Sequence, residues 1–200
     1  VLQIETRGFE LTQPTLHQPG EVVTLVSDDA IKNAIENLGD LRFMPVATPT
    51  DFSTRGSEMQ AARGRLDTWL AANEAAELPI EAHNKLSYEE GGPPAGISWF
   101  PMRAQEGEGV LPMAQRFFLP LVEPTREDWI FTGSDLARVY RTSDEVGYPA
   151  VGFEMSTAAR VPFGDFTEAH VDEQMAIVLN DEIVSAPVIN QALRGASIIQ

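Results

Sequence analysis

The feature that most constrains this chain lies near its end, in residues 176–199, AIVLNDEIVSAPVINQALRGASII. Residues 176–179 form an apolar run, Asn180 and Asp181 are turn formers, and residues 182–185 return with Ile183 and Val184 at their centre. Asn and Asp tolerate the positive φ that a two-residue hairpin turn demands, so the stretch predicts two antiparallel strands joined at 180–181. Pro187 lacks a backbone donor and ends the returning strand. Residues 197–199 predict one more strand.

The remaining elements follow in order. Residues 1–7 alternate apolar and polar side chains, and residues 21–26 (EVVTLV) are a β-branched strand candidate. A capped helix is expected over about 28–39, with Ile31, Ala34, Ile35 and Leu38 on one face, then a strand over 41–47. After a loop, a helix is expected from 57 to about 77, with Met59, Ala62, Leu66, Trp69 and Leu70 on its apolar side. The two prolines in residues 91–96 (GGPPAG) mark a rigid turn rather than a phosphate loop. Strands are expected at 97–102 and 115–122, joined by the EGEG of 106–109. Leu136, Val139 and Tyr140 at helical spacing behind Thr132 and Asp135 predict a capped helix ending near Gly147. A strand at 148–155 and a short helix over 168–174, capped by Asp165 or Thr167, complete the chain. One or two strands per helix predict an α+β layer with a mixed or antiparallel sheet. Residues 50–128 have enough structure of their own to form an insertion between the two flanking segments, 1–49 and 129–200.

Chemistry is sparse. Thirty acidic against fourteen basic residues leave a net charge of -16, which disfavours a phosphate backbone as partner, so nucleic acid is not expected. The absence of cysteine excludes disulfides, thiolate metal sites and cysteine nucleophiles. His17, His83 and His170 are too scattered for a zinc motif, and Ser98 lies outside any nucleophile elbow. The paired carboxylates Asp28 and Asp29, Glu89 and Glu90, and Asp181 and Glu182 fall at caps, turns or loops. No catalytic, cofactor-binding or metal-binding residue is expected, and the chain is not expected to be an enzyme. A hydrolase whose carboxylates converge from distant positions is the weaker alternative. No run of about 18 apolar residues is present, and the start and end of the sequence suggest an excised domain of a longer protein.

Several stretches resemble the SecD family. Residues 176–189 are similar to its signature "AIVLDgxVxSAPxI", with Ser185, Ala186 and Pro187 in place and Asn180 standing for the usual Asp. Thr167 stands where the family has a Thr-capped helix. Phe131, Thr132, Gly133, Ser134, Asp135 and Leu136 resemble "LTGxDL", residues 149–153 resemble "pxVxFxf", and residues 38–43 resemble "GxLxFR". The likeness is good over about 130–199, suggestive over 22–47 and absent over 50–128. It implies a ferredoxin-like base, built from 1–49 and 129–200, carrying an inserted head over 50–128. By the same resemblance the parent protein sits in the inner membrane, driven by the proton-motive force, with this part on the extracytoplasmic side. It would engage unfolded preprotein beside a SecF-like subunit and the SecYEG channel, without a cofactor. Another transporter of the same broad superfamily is the alternative. Thr132, Gly133, Thr167, Ser185, Ala186 and Pro187 are then structural positions, and Trp69, Trp99 and Phe100, outside the base pattern, are candidate peptide contacts. Exposed sheet edges and apolar grooves are the surfaces that accept an extended chain with little sequence demand. The resemblance further predicts that the 176–185 hairpin shares a sheet with the strand at 148–155.

Overall fold

The computed structural model describes residues 40–76, 78–103, 112–143, 149–194 and 196–199; the strand expected at 21–26 and the helix expected at 28–39 lie outside them. The described elements are strand β1 (Leu41–Pro45), helices α1 (Pro49–Thr54), α2 (Met59–Asn73) and α3 (Ile80–Asn84), and strands β2 (Ile97–Pro101) and β3 (Phe118–Val122). Strands β4 (Phe131–Thr132), β5 (Leu136–Ser143) and β6 (Pro149–Met155), helix α4 (Arg160–Ala169), and strands β7 (Met175–Leu179), β8 (Glu182–Ser185) and β9 (Ala196–Ile199) follow. The architecture is α+β with antiparallel sheets.

The hairpin forms where the sequence places it. Leu179 faces Glu182 across β7 and β8, and Asn180 and Asp181 turn the chain at φ of 52° and 61°. Both central residues have positive φ, the condition that a hairpin turn matching the strand twist imposes. Strand β7 is buried throughout because it is covered on both faces. Met175, Ile177 and Leu179 enter one core, whereas Ala176 and Val178 enter another. Strand β1 alternates in step, sending Leu41 and Phe43 to the first core and Met44 to the second.

The four strands β4-β1-β7-β8 make one sheet, β2 and β3 a hairpin, and β5-β6-β9 a third set. Two short crossings join the first two. Val46, just past β1, bridges to Leu121 of β3, and Met102, just past β2, bridges to Ile183 of β8. The strands therefore close a ring in the order β1-β7-β8-β2-β3, returning to β1. Its interior holds Met44, Val46, Phe100, Leu121, Ala176, Val178 and Ile183, side chains from all five strands or their immediate extensions.

The expectation that β6 shares a sheet with β7 and β8 is overturned: β6 lies between β5 and β9. The two sheets meet through side chains instead. Phe153 of β6 packs against Phe43 of β1 and Phe163 of α4, with ring centroids 5.6 and 5.9 Å apart.

Residues 136–143, expected as a helix, form β5. Thr132 and Asp135 do make a reciprocal cap, but it closes only the single 3₁₀ turn of Gly133–Asp135. A bulge between Leu136 and Arg138 places one extra residue, Ala137, in the strand. That insertion brings Leu136 and Val139, three apart, into the same core, which imitates a helical i, i+3 pattern.

The short helix expected over 168–174 is instead α4, eight residues earlier in its start. Pro162 falls in the first turn, where an amide proton has no intrahelical acceptor to lose. Gly164 admits the stem of Arg194, since a Cβ there would lie 2.8 Å from Arg194 Cγ. Thr167 is accordingly not a cap but a buried interior residue, and Asp172, at φ 68°, lies in the turn beyond the helix. The loop expected near 48–56 also contains a helix, α1, capped by Thr48 and Asp51 with Pro49 at its start. The 57–77 helix and the 97–122 hairpin form close to their expected bounds.

Candidate functional site

Among the described residues no group of three or more His, Asp or Glu side chains is placed to hold a metal ion. No described helix is long and apolar enough to cross a membrane. What the molecule offers is backbone edge and apolar surface, so the site is assembled from these.

The signature positions lie at a 3₁₀ turn, in α4 and at the end of β8 and just beyond it. Thr132 N–H and Oγ1–H donate to Asp135 Oδ2 at 2.9 and 3.2 Å, and Gly133 opens the 3₁₀ turn they close. Thr167 Oγ1 donates to Phe163 O at 2.9 Å and accepts from Leu193 N at 2.8 Å. Ser185 ends β8 opposite Ile177; Ala186 O accepts from the Gln174 amide, and Pro187 O accepts from Met175 N at 2.9 Å. These bonds tie the segment after β8 to the start of β7.

The three candidate contacts lie in or against the cores. Trp99 and Phe100 are 2% and 6% exposed, Trp99 beside Phe52 and Phe100 inside the strand ring. Trp69 is half-buried on α2, its ring 5.3 Å from that of His83. The apolar surface of this region belongs instead to Phe117, 63% exposed, with the Arg63 guanidinium 6.0 Å from its ring centre. The sequence held that signal: in the Phe117-Phe118 pair, neighbours on a strand face opposite ways, so one ring of the two had to point outward.

Both long sides of the β2–β3 hairpin are occupied. On β3, Pro120 O accepts from Ala47 N at 2.8 Å and Phe118 O from Arg63 Nη1 at 3.3 Å. On β2, Trp99 N donates to Asn84 Oδ1 and Trp99 O accepts from Asn84 Nδ2, each at 2.9 Å. Asn84 thus stands in for a neighbouring strand, a role no sequence motif signals. At the hairpin's far end, Glu182 of β8 receives Arg116 Nη2 at 2.5 Å and Arg103 Nε at 3.3 Å. Strand β5 contrasts with these. It is the longest described strand and is paired only on its β6 side among the described residues.

The described titratable groups match this inert picture. Burial holds the His83 imidazole below its ordinary value, against smaller opposing pulls from the Gly91 backbone and the Asn84 side chain. Hydrogen bonds from Ser87 hold Glu90 low, and Arg126 does the same for Asp128.

A family model described as "SecDF, P1 head subdomain" matches residues 121–200, a stretch that takes in residues 129–200 of the expected base. The protein translocase subunit SecD of Rhodobacter capsulatus is 37% identical over 91 residues, covering 46% of this chain and 16% of that protein. The SecD subunit of Aquifex aeolicus is 44% identical over 64 residues, 32% of this chain and 13% of that protein. The matched part is therefore about a sixth or less of the length of these relatives. A solved structure of SecDF, described as a membrane component that enhances protein export, aligns with 92% of this chain and 64% of its own, at 20% identity and a TM-score of 0.38. The resemblance noted in the signature segments is borne out by the family match and the relatives.

Proposed function

We propose that this chain, a SecD fragment by its match over residues 121–200, is the part of a protein translocase subunit that meets unfolded preprotein on the extracytoplasmic side. The parent protein then works in the inner membrane, driven by the proton-motive force, beside a SecF-like subunit and the SecYEG channel. The family match is the observation that carries this reading.

The surface assigned to the task is the outer side of β5, the side that no described strand pairs. An extended polypeptide can pair with a strand through main-chain hydrogen bonds alone, which suits a translocase that must accept many sequences. Phe117 and the half-exposed Trp69 would add apolar contact away from that edge, with Trp99 packed in the core beside Trp69 and Phe100 inside the strand ring.

Titration of the chain with an unfolded polypeptide, followed by amide NMR, tests it. Saturable shifts are expected over residues 137–143. Absence of any shift at millimolar peptide overturns the assignment.

A further inference from the structure

Every outward-facing donor of β2 is accounted for by a different device. Ile97 N donates to Pro94 O at 3.0 Å, Pro101 has no N–H, and Arg103 N, just beyond the strand, donates to Ile183 O at 2.9 Å. Trp99 alone in this series is satisfied by a side chain, that of Asn84. The cover is therefore only as secure as α3, the helix that ends in Asn84.

Helix α3 is five residues long and has no side-chain hydrogen bond at its N-cap, Pro79. A helix so short does not hold itself together in water, so tertiary contacts must fix it. Two of its side chains are buried, Ile80 and His83, and His83 is 0% exposed. Neither nitrogen of the imidazole makes a hydrogen bond of normal geometry, and the weaker pulls of the Gly91 backbone and the Asn84 side chain do not offset its burial. Trp69 of α2 faces the ring, and the charged residues of the surrounding elements leave it without a counter-ion. Arg65 of α2 is engaged with the Tyr88 ring and carbonyl, Glu90 with Ser87, and Lys85 and Glu89 are exposed. Glu81, on the same helix, is half-buried and makes no hydrogen bond to the ring.

We infer that α3 is a removable cover over the β2 edge, anchored by a neutral His83, and that protonating His83 in mild acid lifts it and frees the Trp99 main chain. A charge cannot remain in that site unpaired, and the shortest route to water is to displace the helix that carries it. Asn84 leaves with its neighbour, so the same event exposes a second strand edge, distinct from β5.

The direction of the pH effect follows from linkage. With the imidazole held below its ordinary 6.5 in the closed form, the open form binds the proton more tightly. Stability of the closed form is therefore complete above that value and declines below it. The opening equilibrium rises by up to about tenfold per pH unit until the lowered value is reached.

Hydrogen exchange of the Trp99 amide, corrected for its intrinsic rate, reads the cover directly. Protection is expected to fall by up to about tenfold per pH unit below pH ~6.5, while the Val178 amide in β7 stays protected. His83→Phe should abolish the pH dependence, and His83→Gln serves if the Phe variant does not fold. Asn84→Ala should lower Trp99 protection at neutral pH as well. Equal protection at neutral and mildly acid pH overturns the inference, as does parallel loss at Val178 or acid sensitivity that survives in both His83 variants. The outcome does not depend on whether the chain binds polypeptide.

Discussion

The hydroxyl of Thr167 accepts a hydrogen bond from Leu193 N–H at 2.8 Å and donates one to Phe163 O at 2.9 Å, so one buried side chain joins α4 to the segment leading into β9. Thr167→Val keeps the shape and removes both bonds. The Leu193 N–H is then left without its acceptor, a loss of about 1–3 kcal/mol. Chemical denaturation should show a lower midpoint with an unchanged slope. An unaltered midpoint would mean that water replaces the hydroxyl.

Glu182 binds two arginines where β8 meets the β2–β3 hairpin. Arg116 and Glu182 are partly shielded, with side-chain exposures of 14% and 33%. Glu182→Gln is expected to cost about 1 kcal/mol at low salt and less at high salt, since screening weakens such pairs. The check is the midpoint difference from wild type at two ionic strengths; a difference that ignores salt would contradict a Coulombic role.

Gly92 sits against main chain rather than a pliable side chain. A Cβ there would lie 2.2 Å from Leu86 O and 2.7 Å from Leu86 C. Gly92→Ala must displace the 86–92 turn, with an expected cost of about 1–3 kcal/mol. Thermal melting should fall by roughly 2–4 °C per kcal/mol for a chain of this size. Gly64, where the added Cβ meets nothing within 4 Å, is the control.

The Glu90 carboxylate accepts from Ser87 N at 3.0 Å and Ser87 Oγ at 2.8 Å, which favours its charged form and holds it below the ordinary 4.5. Its contribution is present above that ordinary value and is lost as pH falls through the lowered one. Carbon-detected NMR titration should show Ser87→Ala moving Glu90 back toward 4.5 without reaching it, because the Ser87 amide still donates. No movement at all would remove the hydroxyl from the account.

Local signals carried the parts of the fold that local chemistry decides. Asn180 and Asp181 marked the hairpin because few residues accept their backbone angles. The apolar run of β7 was visible, but its meaning was not: the two cores it divides are built by residues more than a hundred positions away, such as Phe43 and Met44. Strand β5 misled because one bulge at Ala137 changes the spacing of Leu136 and Val139 from strand-like to helix-like. Helix α4 was hidden by Pro162 and Gly164, two residues that usually interrupt helices and here occupy a first turn and a close approach by Arg194. Among surface features, the outward ring of Phe117 could be read from its neighbour. The cover supplied by Asn84 could not, since an asparagine at the end of a short helix looks the same whether it bonds water or a distant strand.

The closed circuit of β1, β7, β8, β2 and β3 gives the molecule a mechanical property. A sheet with open ends unzips under tension one hydrogen bond at a time from its rim. A circuit has no rim, so a pull on the β2–β3 hairpin is shared at once by the Val46 and Met102 crossings, and both must yield before either strand comes free. Such an object transmits tension without fraying.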